Sequence, residues 1–205
     1  MKHVGLEYEE KQKPRENGCG PEFMCEYTWT LSALKNLLSQ KDFGTKSHSD
    51  RLIEQVTTLG RKVGLSSRDL SDLRLFAKFH DLGKTFIPNK ILLKKGPLTE
   101  EEWDIMKMHS EFGAGLANSF NELAHIADCI LYHHERWDGL GYPKGLCGLK
   151  IPLFCRILSI ADAWDAMVSD RPYRDAMSFA DAASEIEVNA GTQLDPTLVE
   201  IWRHT

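Results

Sequence analysis

The 205-residue sequence lacks the features that mark membrane, secreted and disulfide-linked proteins. No apolar run approaches the roughly 18 residues of a membrane span, and the first 18 residues contain no apolar segment of a secretory signal. The five cysteines are odd in number and include no Cys-x-x-Cys pair, which argues against a disulfide framework and a zinc ribbon. We therefore expect a cytoplasmic protein with reduced cysteines and no membrane span.

An excess of positive charge is also missing. The chain has 25 Lys and Arg against 30 Asp and Glu, a formal net charge of −5. A protein that binds the backbone of a nucleic acid polymer would show a basic excess, so we expect no such partner. A small anionic ligand stays possible because a local site can oppose the net charge. The composition, 42% apolar and 27% charged, suits one ordinary globular core.

The sequence shows no convincing period-2 alternation, and apolar residues instead recur every three or four positions. The pattern predicts helices at about 22–40, 49–63, 67–82, 99–118, 121–135, 153–170, 178–189 and from 196, with a short helix or turn at 88–98. Thr99 and Glu102 have the spacing of a capping box, Ser178 suits an N-cap, and Pro152 suits a first turn. We predict an all-α fold, a helical bundle of about seven to eight helices.

The chain divides into two parts by composition. Residues 1–21 are polar, charged and broken by proline and glycine, which predicts a flexible arm or linker remnant. Residues 22–205 form the predicted domain. Its first helix, at 22–40, could connect to a sensor or receiver domain or mediate a homodimer.

Five of the eight histidines lie within about a turn of a predicted helix end and near an acid or a glycine turn: His48, His80, His109, His133 and His134. A single such histidine is more often a core or surface residue. Five in the same setting suggest a metal site. At the C-terminal end of a helix the macrodipole favours a cation, and the carboxylate of Asp81 has two oxygens that could bridge two ions. The alternative for Asp81 is a simple capping acid before Gly83.

Two acids, Asp162 and Asp165, share one face of the predicted helix at 153–170. Apolar neighbours predict that Asp162 is buried, and a buried carboxylate needs a metal or a cationic partner. Mixed imidazole and carboxylate donors suit a first-row divalent ion, and there are enough of them for two. Two ions about 3.5–4 Å apart are a known device for cleaving phosphate esters.

Six segments carry a resemblance to a known family, in order from about residue 42 to residue 196. They are "HSDRL" (48–52), "HDLGK" (80–84), "MKMHSEFG" (106–113), "HHERWDGLGYP" (133–143), "ADAWDAMVSDRPYR" (161–174) and "GTQLDP" (191–196). Together they resemble the HD-GYP phosphodiesterases of the HD phosphohydrolase superfamily. The resemblance implies an all-α fold, a dinuclear or trinuclear metal centre, often of iron, and hydrolysis of a cyclic dinucleotide second messenger, chiefly cyclic di-GMP, to pGpG and GMP.

The resemblance also implies a ligand set. One ion would be held by His48, His80, Asp81 and Asp162, and the other by Asp81, His109, His133 and His134, with Asp81 bridging. Iron is the favoured metal and manganese the alternative. Members with three metals carry a glutamate four residues before the first ligand histidine. Here that position is Gly44, which offers no donor, so we predict two ions.

The remaining site residues are those that would meet substrate. The resemblance makes Asp81 and Lys84 the catalytic residues and assigns Lys84, three residues after Asp81, to a phosphate oxygen, although a solvated cation near a helix end is the alternative. It assigns Arg171 and Arg174, whose guanidinium forks suit phosphate, to the phosphates or bases. Asp165 matches a substrate-side position, with an exposed helix acid as the alternative. The loop of Gly141, Tyr142 and Pro143 is predicted to contact substrate or a partner, with Glu135 and Asp138 orienting ligands or loop.

The implied mechanism is attack of a hydroxide, held between two cations, on phosphorus in line, with charge on the phosphoryl oxygens offset by Lys84 and the arginines. Three alternatives stay open. The preferred substrate could be 3′,3′-cyclic GMP-AMP, or the chain could act on mononucleotides, against which the Gly-Tyr-Pro loop and the arginine pair argue. It could also be a weakly active module that binds a cyclic dinucleotide or docks a diguanylate cyclase through its "GLGYP" loop.

Overall fold

The computed structural model of the chain describes residues 32–34, 36, 46–170 and 175–204. Several sequence predictions fall outside the described residues. These are the arm at 1–21, most of the helix predicted at 22–40, Gly44, Arg171 and Arg174. Within the predicted first helix, residues 32–34 and 36 are helical, and Leu34 is buried in the core.

The all-α prediction is confirmed, and the described residues form nine α-helices. They are α1 (Lys46–Lys62), α2 (Ser67–Phe79), α3 (Asn89–Leu92), α4 (Glu100–Lys107), α5 (His109–Asn118), α6 (Ala127–Tyr132), α7 (Leu153–Val168), α8 (Phe179–Val188) and α9 (Pro196–Trp202). Short 3-10 helices occur at Leu82–Phe86, Ala124–Ile126 and Gly148–Lys150. None of the helices in the described part of the chain has the length and apolar character to cross a membrane.

The helix starts follow from local capping chemistry. The hydroxyls of Ser66 and Thr99 each close a capping box with the acid three residues later, and Ser178 accepts a hydrogen bond from the amide of Asp181. Pro152 has extended backbone angles and caps α7, so it precedes the first turn instead of lying within it. These caps fix where α2, α4, α7 and α8 begin.

Two predicted helices were too long. The helix predicted at 99–118 is divided at Met108 into α4 and α5, and the one predicted at 121–135 shortens to a 3-10 turn followed by α6. In both cases a histidine ring bonds a main-chain carbonyl of the last helical turn. The bond takes up a carbonyl at the point where the α-helix ends.

The core lies among α1, α2 and α7, whose apolar faces meet. Leu52 and Val56 of α1, Phe76 of α2 and Ile157 of α7 are fully buried. Helix α5 packs against α6 and against the 3-10 helix Leu82–Phe86. Here Gly83 is essential, because a Cβ on it would lie 1.8 Å from the carbonyl oxygen of His109. This close approach brings Asp81, His109 and His133 to one place.

Candidate metal centre

Three helices end at the candidate site. Helices α2 and α6 are followed directly by His80 and His133, and α4 is followed one residue later by His109. The C-terminal end of a helix carries the negative pole of its dipole and exposes unpaired carbonyls. At His80 and His133 the local field therefore favours a cation, whereas at His109 the positive pole of α5, which begins there, opposes the negative pole of α4.

The three histidines are oriented in the same way by the main chain. The Nδ1 atom lies 2.8 Å from the Ala77 carbonyl oxygen in His80, 2.7 Å from that of Met106 in His109 and 2.7 Å from that of Ile130 in His133. A carbonyl only accepts hydrogen bonds, so each Nδ1 carries the proton. Each Nε2 can then bind a metal, an orientation typical of metal-ligating histidines.

Four side chains form the centre of the site: Asp81, His109, His133 and His134. Each offers a donor atom within 4.8 Å of the donors of the other three. The Nε2 atoms of His109 and His133 lie only 3.2 Å apart. Two donors that each lie about 2.1 Å from one ion have a separation of this size.

The protonation of this pair indicates what belongs between the two nitrogens. Burial lowers the pKa of His109, and burial together with the neighbouring histidines lowers the pKa of His133 well below its usual value. Both rings are therefore neutral at pH 7, and their Nε2 lone pairs face each other with no proton between them. Such a contact is repulsive on its own and is relieved by a cation. The donor set fits a divalent metal.

Asp81 directs its two oxygens to different histidines. Oδ2 lies 3.3 Å from His80 Nε2 and 2.6 Å from Lys84 Nζ, whereas Oδ1 lies 3.6 Å from His109 Nε2 and 3.9 Å from His133 Nε2. Burial alone would raise the pKa of Asp81, but Lys84 and His80 outweigh it and hold the pKa well below its usual range. Asp81 is thus an ionised carboxylate between His80 on one side and His109 and His133 on the other.

The negative charge of Asp162, on α7, raises the pKa of His80. Burial alone would lower the pKa of His80, but Asp81 and Asp162 outweigh it and raise the pKa to about 9. In the absence of metal His80 therefore holds a second proton, on Nε2, which a metal ion would displace. The prediction that Asp162 is buried was wrong, because it is only partly buried; the fully buried acid of this helix is Asp165.

His48 and Asp165 pair with each other. His48 Nδ1 lies 2.5 Å from Asp165 Oδ2, and Arg51 Nε donates to Asp165 Oδ1 at 2.6 Å. Asp165 is 1% exposed, so the alternative of an exposed helix acid is wrong. Its predicted contact with substrate stays a prediction, and both of its oxygens are engaged by His48 and Arg51.

The loop at 133–148 is held around one buried acid. Glu135 accepts hydrogen bonds from the amides of Lys144, at 2.7 Å, and Leu146, at 2.9 Å. Gly141 packs so close to the chain at His134 that a Cβ would lie 2.5 Å from the His134 carbonyl oxygen. The side chain of Asp138 pairs with Arg136, and its amide donates to Thr192. Of the two predicted roles, orienting ligands or the loop, these contacts concern the loop: Glu135 accepts from two loop amides, and Asp138 Oδ1 accepts from the Leu140 amide at 3.0 Å.

The loop places an aromatic ring over the site. Tyr142 stacks on His134 with ring centroids 4.8 Å apart, and its peptide bond to Pro143 is cis. Trp103 of α4 meets Tyr142 edge-on at 6.4 Å and is 47% exposed. An aromatic rim therefore borders the histidine cluster.

Two residues near the site carried no assignment from the sequence. Arg51 stands in "HSDRL", three residues after His48, and that helical spacing was the available signal for a shared face. Trp103 followed the capping box at Thr99 and suited a core position equally well. Only its exposure and its contact with Tyr142 distinguish it.

The fold and the site together define an α-helical protein with a cluster of histidines and a carboxylate that could bind metal. The family model described as "HD domain" matches residues 32–198, and the chain belongs to this family, whose members are metal-dependent hydrolases. The predicted resemblance to HD-GYP phosphodiesterases is also confirmed.

Curated relatives and a solved structure agree with this membership. The chain is 38% identical over 173 residues to "Cyclic di-GMP phosphodiesterase response regulator RpfG" of Xanthomonas campestris pv. campestris, covering 83% of this chain and 46% of the relative. It is 38% identical over 187 residues to a "Cyclic di-GMP phosphodiesterase" of Thermotoga maritima, covering 88% and 51%. The chain thus spans about half the length of these relatives.

A solved structure of a cyclic GMP-AMP specific phosphodiesterase from V. cholerae, V-cGAP3, is similar in fold. The TM-score is 0.65 at 22% identity, over 83% of this chain and 46% of that one.

Proposed function

We propose that this chain is a metal-dependent phosphodiesterase domain that hydrolyses a cyclic dinucleotide, with cyclic di-GMP as the first candidate and pGpG and GMP as products. One observation carries the proposal. The Nε2 atoms of His109 and His133 face each other at 3.2 Å beside Asp81 and His134, with both rings neutral. A divalent cation stabilises this arrangement. The names of the two curated relatives support the reaction and the substrate class.

We propose two ions, with iron favoured and manganese the alternative. One would be held by Asp81, His109, His133 and His134, and the other by His48, His80, Asp81 and Asp162. The two differently directed oxygens of Asp81 support its bridging role. When bound, the ions would supply Lewis acidity and make a hydroxide nucleophile available at neutral pH.

Lys84 would stabilise the charge that develops on the phosphoryl oxygens. Its Nζ lies 2.6 Å from Asp81 Oδ2, so the ammonium group is already at the site. Metal binding to Asp81 would weaken this ion pair and let the ammonium group turn to a phosphate oxygen. Arg171 and Arg174, which lie outside the described residues, keep the substrate-holding roles that the family resemblance gives them.

The aromatic rim would bind a base of the substrate. Burial and the charge of Asp81 raise the pKa of Tyr142, so its hydroxyl stays protonated and can donate a hydrogen bond. The exposed ring of Trp103 beside it offers a stacking face, and stacking of a base on an aromatic side chain contributes about 1–3 kcal/mol. Stacking tolerates either purine, so it fits cyclic di-GMP and 3′,3′-cyclic GMP-AMP alike.

The test is an anaerobic purification followed by a metal count per chain and a substrate panel. We expect about two ions and turnover of cyclic di-GMP, with 3′,3′-cyclic GMP-AMP as the competing substrate and mononucleotides as the comparison. Metal-loaded protein that turns over no cyclic dinucleotide would refute the proposal. A preference for a mononucleotide would favour the alternative that the chain is a mononucleotide phosphohydrolase.

The docking alternative needs a separate variant. We expect the double variant His80→Ala, Asp81→Ala to lose turnover completely, because both residues are proposed metal ligands. If the chain acts instead as a docking module for a diguanylate cyclase, partner binding should survive this double variant. The predicted cytoplasmic location, homodimer and sensor or receiver partner stay predictions; light scattering of the purified chain tests the homodimer.

A further inference from the structure

His48 is placed differently from the three histidines that follow helix ends. It lies in the first turn of α1 (Lys46–Lys62) and does not directly follow another helix of the described residues, whereas His109, although it begins α5, comes one residue after the end of α4. The Nδ1 atom of His48 contacts Asp165 Oδ2 at 2.5 Å instead of a main-chain carbonyl of the preceding turn. A carboxylate accepts hydrogen bonds, so the proton lies on Nδ1 and the Nε2 lone pair is available.

Asp165 is held in turn by Arg51. Arg51 Nε donates to Oδ1 at 2.6 Å, and Nη2 donates to Oδ2 at 3.1 Å, which makes a two-pronged ion pair. The Asp165 side chain is 2% exposed and that of Arg51 is 40% exposed. The guanidinium thus covers a buried carboxylate whose two oxygens are both occupied. Both oxygens of Asp165 are thus already engaged by Arg51 and His48.

Arg51 also connects two elements. Its Nη2 donates to Ser169 Oγ at 2.7 Å, just after the end of α7. Because α1 carries His48 and α7 carries both Asp162 and Asp165, the contacts of Arg51 fix the relative position of two helices that supply proposed ligands. Without Arg51, the His48 ring could therefore rotate more freely, and α7 could shift relative to α1.

We infer that Asp165 and Arg51 form a positioning pair that orients His48 as a metal ligand, and that Asp165 does not touch substrate. The inference rests on the proposed function, in which His48 binds one of the two ions. A carboxylate that holds the second nitrogen of a ligating histidine fixes the ring and makes it a stronger donor. Losing such a partner typically weakens metal binding about 10–100-fold.

The test measures binding of Mn²⁺ to metal-free protein by calorimetry, without any substrate. We expect wild-type protein to bind two ions. Arg51→Met and Asp165→Asn should keep one tight ion and bind the other about 10–100-fold more weakly. Arg51→Lys, which keeps the charge and one hydrogen bond, should bind the second ion with an affinity between that of wild type and that of Arg51→Met. The matched control is Arg74→Met, since Arg74 also donates to a side chain of α1, Thr57, at 3.0 Å, and it should bind both ions as wild type does.

A double-mutant cycle separates positioning from general loss of structure. If Arg51 and Asp165 act through His48, their substitution should cost nothing further in a His48→Ala background. Far-UV circular dichroism of every variant checks the fold, and Arg51→Lys carries the test if Asp165→Asn fails to fold. If Arg51→Met and Asp165→Asn bind Mn²⁺ as wild type does while His48→Ala loses one ion, the positioning role is refuted and the proposed ligand set stands. Two tightly bound ions in His48→Ala would instead show that the proposed ligand set is at fault.

Discussion

The substitution Gly83→Ala should disrupt the metal centre without altering any ligand. A Cβ at this position would lie 1.8 Å from the His109 carbonyl oxygen and 2.5 Å from the Gly113 amide nitrogen. Both contacts are main-chain atoms of α5, so no side chain can turn away. Reaching the shortest Cβ contact that proteins tolerate, 3.0 Å, requires the main chain at position 83, two residues after Asp81, to move about 1.2 Å from the His109 carbonyl oxygen. Metal ligand distances tolerate roughly 0.2 Å.

We therefore expect Gly83→Ala to lose bound metal and to lower kcat/KM by about 100-fold, a loss that a 1 Å misplacement of catalytic groups can cause. Overpacking by one methyl group should cost about 1–3 kcal/mol, which lowers Tm by about 2–12 °C in a chain of this size. Elemental analysis, a turnover assay and thermal unfolding measure the three effects. The control is Gly115→Ala in the same helix, where a Cβ meets no atom within 4 Å, and which should stabilise the chain by about 0.5–1 kcal/mol. A Gly83→Ala protein with wild-type metal content and Tm would refute this account of the packing.

Three further predictions concern the pH dependence of stability, the loop at 133–148 and Trp103 of α4. In metal-free protein the free energy of unfolding should fall as pH drops from 6.5 towards 3, because burial lowers the pKa of His134 to about 3 while an unfolded histidine titrates near 6.5. The unfolded chain then binds more protons, so this stability is present above pH 6.5 and is lost at up to about 1.4 kcal/mol per pH unit. Urea unfolding at several pH values should show a shallower decline for His134→Gln, and an equal slope would contradict the assignment. Glu135→Gln should raise KM about tenfold, because an amide has one acceptor oxygen for the two loop amides that Glu135 binds; an unchanged KM in steady-state kinetics would count against this role of the loop. Trp103→Ala should also raise KM about tenfold with metal content intact, and Trp103→Phe should restore most of the affinity; equal KM values for both variants and wild type would exclude stacking.

The fold class could be predicted from sequence because apolar spacing and capping residues are local. Ser66, Thr99 and Ser178 begin helices where the pattern places them. The breaks at Met108 and Tyr132 could not be predicted, since they depend on histidine rings that bond carbonyls of their own helices. A continuous helix at 99–118 is equally compatible with the apolar period.

The ligand candidates were found from residue type and family motif, but their partners were not. Asp162 and Asp165 share one helix face in the sequence, and apolar neighbours suggested burial for Asp162. Burial instead depends on what packs against that face, and Arg51 of α1 covers Asp165. Pairings between residues more than a hundred positions apart follow from the assembled fold and leave no local pattern.

The hydrogen bonds from the histidine rings to the main chain couple the candidate metal centre to the ends of three helices. Each ring uses a carbonyl from the last turns of α2, α4 or α6, so an ion held by these rings also fastens those turns. Fraying at any one end would move a ligand, and a bound ion would oppose fraying at all three. Hydrogen exchange in three segments far apart in the chain should therefore slow together as metal is added.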